Sequence, residues 1–323
     1  MRRKLKKIYK LSRNYGVRCV LSTRVERKIF GLLKNKPHLC EKLFELIHSK
    51  KENRILTYST NVLSGNYDNR PQKLITEDCN IWVFWWTGFD SAPEIVKACV
   101  KSMMQHSAGH KIQLLDRNNI KDYVMLPDYI WEKFNKNIIS VTHLSDIIRV
   151  TLLYTHGGIW ADATLFFTDR LNQEIYSHEF YTNKRHEIIN PCVSQSRWST
   201  FFLAGGQYCE VFRYWRDFYF EYWKNTDTLV DYLLMDYILD IGYRNYTTIR
   251  SLIDSVPYNN ENIKLMYQYM NTCFTHEQYE ALVETTTLHK LSWKDQYSPL
   301  DNGRKTFYEM VISGALNMEK CDE

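Results

Sequence analysis

The chain has 323 residues, 44% hydrophobic and 24% charged, a globular composition that excludes disordered, collagen-like and coiled-coil proteins. Its length suits one large α/β domain or two small ones, and with no run near about 18 consecutive apolar residues, no membrane-spanning helix is expected. Charge is uneven: residues 1–36 hold 13 Lys and Arg against Glu26 alone, a balance of +12 beside +5 for the whole chain, which leaves the remainder at −7.

The basic residues thus form an N-terminal arm. Met1–Lys10 is an amphipathic basic segment, with Leu5, Ile8, Tyr9 and Leu11 near one helical face. Helices are expected near Arg24–Leu33 and Leu39–Ser49, and the polar stretch Asn53–Leu74, with Ser64-Gly65-Asn66 and Arg70-Pro71, reads as a linker. Such an arm suits an anionic membrane surface, where each basic residue contributes about 1 kcal/mol. A nucleic-acid contact or a plain solvated tail are the other readings. No nucleic-acid motif accompanies the charge and the body is acidic, so no nucleic-acid partner is expected. Arg13, Arg18, Arg24 and Arg27 interrupt anything resembling the apolar core of a secretory signal. Eight cysteines without C-x-x-C or zinc-site spacing read as reduced thiols of a cytoplasmic protein.

From about residue 78 to 206 strand and helix signals alternate. Ile81–Trp86 is a buried strand; Ser91-Ala92-Pro93-Glu94 opens a helix running to about His106; Lys111–Leu115 is a second strand. Leu126-Pro127-Asp128 opens another helix. His143–His156 is a third, stopped by Gly157-Gly158, and Ile159–Asp162 is the next strand. The order predicts a parallel, doubly wound core. Phe180-Tyr181 and Phe201–Ala204 are later strands. Residues 207–323 are mostly helical, with helices at Tyr208–Lys224, Leu229–Ile241, near Asn262–Met270 and at Lys305–Leu316.

The chemistry-bearing segment is His143–Phe167. Its helix is apolar on nearly every face except for Asp146 and Arg149, whose i, i+3 spacing puts them on one side. A buried acid and guanidinium are either a structural pair or held for use, because burying charge is costly. The glycine pair turns the chain into a strand that ends at Asp162, and in open α/β sheets ligands bind beyond the carboxyl ends of strands. A carboxylate there suits a divalent cation carrying a diphosphate, or serves as a strand-end cap.

The pattern S-D-x-x-R-x-x-x-L-x-x-x-G-G-I-W-x-D-A-T, from Ser145 to Thr164, resembles the bacterial capsular polysaccharide synthesis family of glycosyltransferases. That family is related to the yeast initiating mannosyltransferases and, more remotely, to the clostridial glucosylating toxins. The resemblance covers about residues 78–295, strongest at 143–168. It implies a GT-A-type, Rossmann-like α/β core (residues 76–206) in a transferase domain of residues 76–323. Residues 207–323 would form a helical acceptor and lid part, and residues 1–75 the helical arm and linker. It also implies a nucleotide-sugar donor, most simply a UDP-sugar, and a D-x-D-type motif with Mn2+ or Mg2+.

Carried onto this chain, the resemblance makes Ser145, Asp146 and Arg149 donor-binding residues, with Gly158 allowing close backbone approach. Asp162 is the first acid of the D-x-D-like motif, and Thr164 stands where the second acid would be. Trp85 or Trp86 would stack on the base, although core packing explains a strand tryptophan equally well. Asp231, with Asp236 second, would face the donor sugar's hydroxyls. In the closing segment Leu288–Lys294 a His or a Ser, His289 or else Ser292, would complete a metal shell, Lys290 would neutralise diphosphate and Trp293 would cover the site. The implied activity is retaining transfer of a sugar to a hydroxyl of a capsular, exopolysaccharide or lipopolysaccharide precursor, glycan or lipid-linked. The enzyme would be peripheral to the inner face of the cell membrane. The alternative is a catalytically degenerate nucleotide-sugar-binding regulator, favoured by Thr164.

Overall fold

The computed structural model describes residues 35–59, 71–186 and 192–317, with positions 25, 26, 28, 29 and 32. The amphipathic segment Met1–Lys10 and most of the basic arm lie outside the described residues. The helix α1 (Pro37–Thr57) runs eight residues beyond the predicted end at Ser49, so Asn53–Thr57 is helical rather than linker. It is tied to the body by charge. Lys51 meets Asp231 at 2.5 Å, Glu52 meets Arg244 at 2.7 Å, and His48 lies 3.4 Å from Asp240.

The core alternates β1 (Ile81–Phe84), α2 (Glu94–Gln105), β2 (Ile112–Leu115), α3 (Asp128–Asn135), α4 (Val141–His156) and β3 (Gly158–Ala161). Then follow β4 (Leu165–Phe167), β5 (Phe180–Thr182), β6 (Phe202–Gly205) and α5 (Glu210–Asn225). One five-stranded sheet has the order β2-β1-β3-β6-β5. β1 pairs in parallel with both β2 and β3. Every residue of β1 and β3 is buried, as expected of central strands covered on both faces.

The expected parallel core is made by β2, β1 and β3, while at one edge β6 runs antiparallel to β3, and β5 antiparallel to β6. A parallel neighbour needs a long crossover, usually a helix laid across the sheet. Between β3 and β6 the only helical element among the described residues is a short 3-10 turn at Gln173–Ser177, so the chain comes back alongside instead.

α4 begins where the Ser140 hydroxyl accepts from the His143 backbone N–H at 3.3 Å, and it ends at Gly157, whose φ of 68° places it in the glycine-favoured region. α5 packs against α4 with a buried aromatic face including Phe212, Trp215, Phe218 and Trp223.

The remaining elements are α6 (Leu234–Asn245), α7 (Thr247–Asp254), α8 (Leu265–Tyr269), α9 (His276–Thr285), β7 (Leu288–Lys290), β8 (Leu300–Asp301), β9 (Arg304–Lys305) and α10 (Phe307–Ser313). α7 and α9 have no counterpart among the predicted helices, and α6 starts five residues later than predicted. β7 returns to the core and pairs antiparallel with β4, setting Lys290 opposite Leu165. Among the described residues no helix is long and apolar enough to cross a membrane.

Candidate active site

The carboxyl ends of β1 and β3 open into a cleft of roughly 1090 Å³, at the upper end of the range of small-molecule sites. Trp85 and Trp86 follow β1 and line one wall. Ser145, Asp146 and Arg149 face it from α4, and Asp162 and Thr164 from the end of β3. Asp236 reaches it from α6, and Lys290 and Trp293 from β7 and the segment after it. Ten residues singled out in the sequence therefore share one cavity. The Trp293 ring stands edge-on to Trp85 with centroids 5.3 Å apart, and Trp86 packs edge-on against Phe134 at 4.9 Å.

Asp162 is the hub. One carboxylate oxygen accepts from Trp160 Nε1 at 3.0 Å and lies 3.6 Å from Arg149 Nη2; the other lies 3.5 Å from Lys290 Nζ. Trp160 and Asp162 are two residues apart on an extended segment, so both side chains leave on the same face. Arg149 also meets Asp146 at 3.2 Å, donates to the Thr200 carbonyl and sits 5.0 Å from the Trp160 ring centre. Its Nε is buried with no hydrogen-bond partner in the structure. Lys290 donates to the Thr164 hydroxyl.

Two of the acids titrate near neutrality. Burial pushes the Asp146 carboxyl up to about 7, against the pull of Arg149 and with the added push of Asp162 and Asp236. Burial likewise raises Asp236 to about 6, partly offset by the Trp198 Nε1–H bond to it at 2.9 Å. Behind Asp146, His143 Nδ1 lies 3.6 Å from its carboxylate. Burial lowers the His143 pKa to about 4, so the ring is neutral.

Three predicted residues are not brought to the cleft. Gly158 stands at the opposite end of β3 from Asp162. At φ 99°, a Cβ there would meet the Asn80 carbonyl oxygen at 2.5 Å, so this glycine serves packing between strands rather than approach to a ligand. Asp231 is turned toward α1, where it binds Lys51 and accepts from the Leu233 backbone N–H at 2.7 Å. His289 alternates with Lys290 along β7 and points into the core, its Nε2 3.3 Å from the Thr168 hydroxyl. Desolvation there lowers its pKa to about 3.

Tyr232, Leu233 and Ser292, from the two segments singled out in the sequence, also line the cleft, as does Thr200, which sequence reasoning missed. Thr200 acts through its backbone carbonyl, to which its side-chain identity gives no clue.

The expected divalent ion can be tested against the donors. Asp162 is already shared by two cations, the Thr164 hydroxyl accepts from one of them, and of the other two acids of the cleft Asp146 is paired with Arg149 and Asp236 accepts from Trp198, burial raising the pKa of both. The histidine of the closing segment faces the other way. This set does not fit a dication, which takes several oxygen ligands and commonly more than one carboxylate. Elsewhere, His48, Glu52 and Asp240 bring ligand atoms together. Arg197 and Arg244 already bond Asp240 at 2.5 and 3.0 Å, making that group an ion-pair network. Burial opposes ionisation of Asp240, but His48 and the two guanidiniums hold its carboxyl below the usual range.

Residues 34–311 match the family described as capsular polysaccharide synthesis protein. The O-glycosyltransferase braB of Annulohypoxylon truncatum is 31% identical over 102 residues, 28% of this chain and 24% of that protein. The glycosyltransferase afumC of Aspergillus fumigatus is 24% identical over 160 residues, 46% of this chain and 41% of that one. The matched stretches thus span less than half of either relative. Both are fungal, whereas the motif suggested a bacterial enzyme. No solved structure matches. The family match takes in most of the sequence and all of the cleft, and the chain belongs to the capsular polysaccharide synthesis protein family, with glycosyltransferases as its relatives.

Proposed function

We propose that this chain is a GT-A-type glycosyltransferase that takes a sugar from a nucleotide diphosphate donor and attaches it, with retention, to a hydroxyl of a glycan or lipid-linked glycan. The observation that carries the reading is Asp162, held between Arg149 and Lys290 on the floor of a cleft walled by Trp85 and Trp86. Cleavage of the anomeric C–O bond leaves negative charge on the nucleotide diphosphate. Two fixed cations in a partly buried site stabilise that charge as it develops, with no reorganisation during the step.

In this reading Trp85 and Trp86 hold the base. Asp146 and Asp162 bind ribose and sugar hydroxyls, with Ser145 beside them, and Asp236 faces the transferred sugar. Trp293 covers the cleft and limits hydrolysis of the donor. The leaving phosphate takes the proton of the acceptor hydroxyl, so no separate general base is needed. The transferase domain spans residues 76–323, and the basic arm keeps the enzyme at the cytoplasmic membrane face near a capsular, exopolysaccharide or lipopolysaccharide precursor.

Thr164 in the second acidic position favours one rival, a regulator that binds the donor without turning it over. Nucleoside diphosphate release from a panel of nucleotide sugars, with and without an added acceptor, separates them. Turnover supports the transferase; saturable donor binding with no release supports the regulator.

A further inference from the structure

We infer that Lys290 supplies, as a fixed ammonium, the positive charge that a divalent ion supplies in a D-x-D site, so that this chain grips the donor's diphosphate without a metal. The inference rests on the donor reading above and concerns how the same site meets the leaving group.

Geometry places the ammonium in that role. Lys290 Nζ lies 3.5 Å from Asp162 and donates to the Thr164 hydroxyl, spanning the two positions of the D-A-T motif. The register of β7 against β4 fixes it there, because Lys290 pairs with Leu165, the residue after Thr164. The same register turns His289 into the core beside Thr168, so a metal-binding imidazole and an inward lysine exclude each other at this strand end. The motif's departure from two acids then has a reason. A second carboxylate would leave an excess of negative charge beside one lysine, whereas a hydroxyl accepts its hydrogen bond and adds none. On the other oxygen of Asp162, Arg149 supplies the second cation, with its Nε still unpartnered.

In the transfer step the anomeric C–O bond to the β-phosphate breaks and its electron pair stays on the phosphate oxygen. The acceptor oxygen forms the new anomeric bond, and its proton passes to that phosphate. Lys290 and Arg149 donate hydrogen bonds to the diphosphate throughout and are unchanged at the end.

The test is calorimetric titration of the full chain with UDP, GDP and UMP, in EDTA and in Mn2+. Expected is diphosphate binding in EDTA at an affinity that Mn2+ barely changes. Lys290→Met should weaken diphosphate binding about 10- to 100-fold, the range of one lost charge-assisted hydrogen bond. It should leave UMP binding nearly unaltered, and Lys290→Arg should recover most of the loss. Diphosphate binding that disappears in EDTA overturns the inference while keeping the donor reading. Absence of diphosphate binding in both buffers overturns both. The wild-type arm needs no variant, so a poorly folding Lys290→Met leaves a decisive result.

Discussion

Arg149 on α4 and Asp162 beyond β3 stand 3.6 Å apart, although the rest of the helix, a glycine pair and a whole strand separate them along the chain. The sharp turn at Gly157 and Gly158 makes the meeting possible, because it lets β3 return along the flank of α4.

If Asp162 organises both cations, Asp162→Ala should lower sugar transfer about 100- to 1000-fold, the scale of losing one electrostatic element of an active site. Circular dichroism should be unchanged, since the side chain stands at a cleft. Near-normal nucleoside diphosphate release would remove this carboxylate from the reaction.

Asp231 and Asp236 should separate cleanly. Asp231→Ala takes a partner from Lys51 and should cost about 1.5–3 kcal/mol of stability, the range for hydrogen bonds to charged groups, with turnover intact. Asp236→Asn should keep stability and lower turnover about 10- to 100-fold. Denaturant titration and a transfer assay on the same two variants check this; the reverse pattern would return Asp231 to the site.

The raised carboxyl of Asp146 gives a pH signature. Its pKa goes from an ordinary 3.8 to about 7 on folding, so between those values the folded state binds more protons than the unfolded one. Its contribution to stability therefore falls as pH rises through that window. His143 and His289, buried neutral with pKa values lowered to about 4 and 3, act in the opposite direction up to their ordinary 6.5. The clean readout is thus a difference: Asp146→Asn should gain thermal stability relative to wild type from about pH 4 to 7. An equal offset at every pH would contradict it.

Gly158→Ala should destabilise by about 1–3 kcal/mol through its strained backbone and the contact with Asn80. Protein kept folded by low temperature should still bind nucleotide normally. Loss of binding in folded protein would place this glycine at the ligand after all.

Deleting residues 1–36 should release the chain from anionic vesicles and leave binding to neutral ones unchanged. Co-sedimentation decides it, and equal sedimentation of both forms would reject the membrane role of the arm.

Much of this was legible in the sequence, and the gaps have physical causes. The helix over 143–156, the glycine stop and the strand ending at Asp162 were readable because periodicity and punctuation are local. The antiparallel β5 and β6 were not, since strand direction depends on the path of the connection. Asp146, Arg149 and Asp162 stood out as charges in apolar surroundings. Assigning His289 and Lys290 to one site failed on strand parity: neighbours on a strand face opposite ways, and only the pairing of β7 with β4 says which faces the cleft. Asp231 was placed ahead of Asp236, although only the latter lines the cleft, because the turn before α6, which points the first toward α1, leaves no mark in spacing.

The bond between Lys290 and Thr164 joins residues 126 positions apart. The strand that delivers the ammonium comes from near the end of the chain, after every helix from α5 to α9. During synthesis the tryptophan wall and the acids of the cleft are therefore made before the lysine. If Lys290 grips the donor as proposed, fragments ending before β7 should be inert however well their sheet had formed.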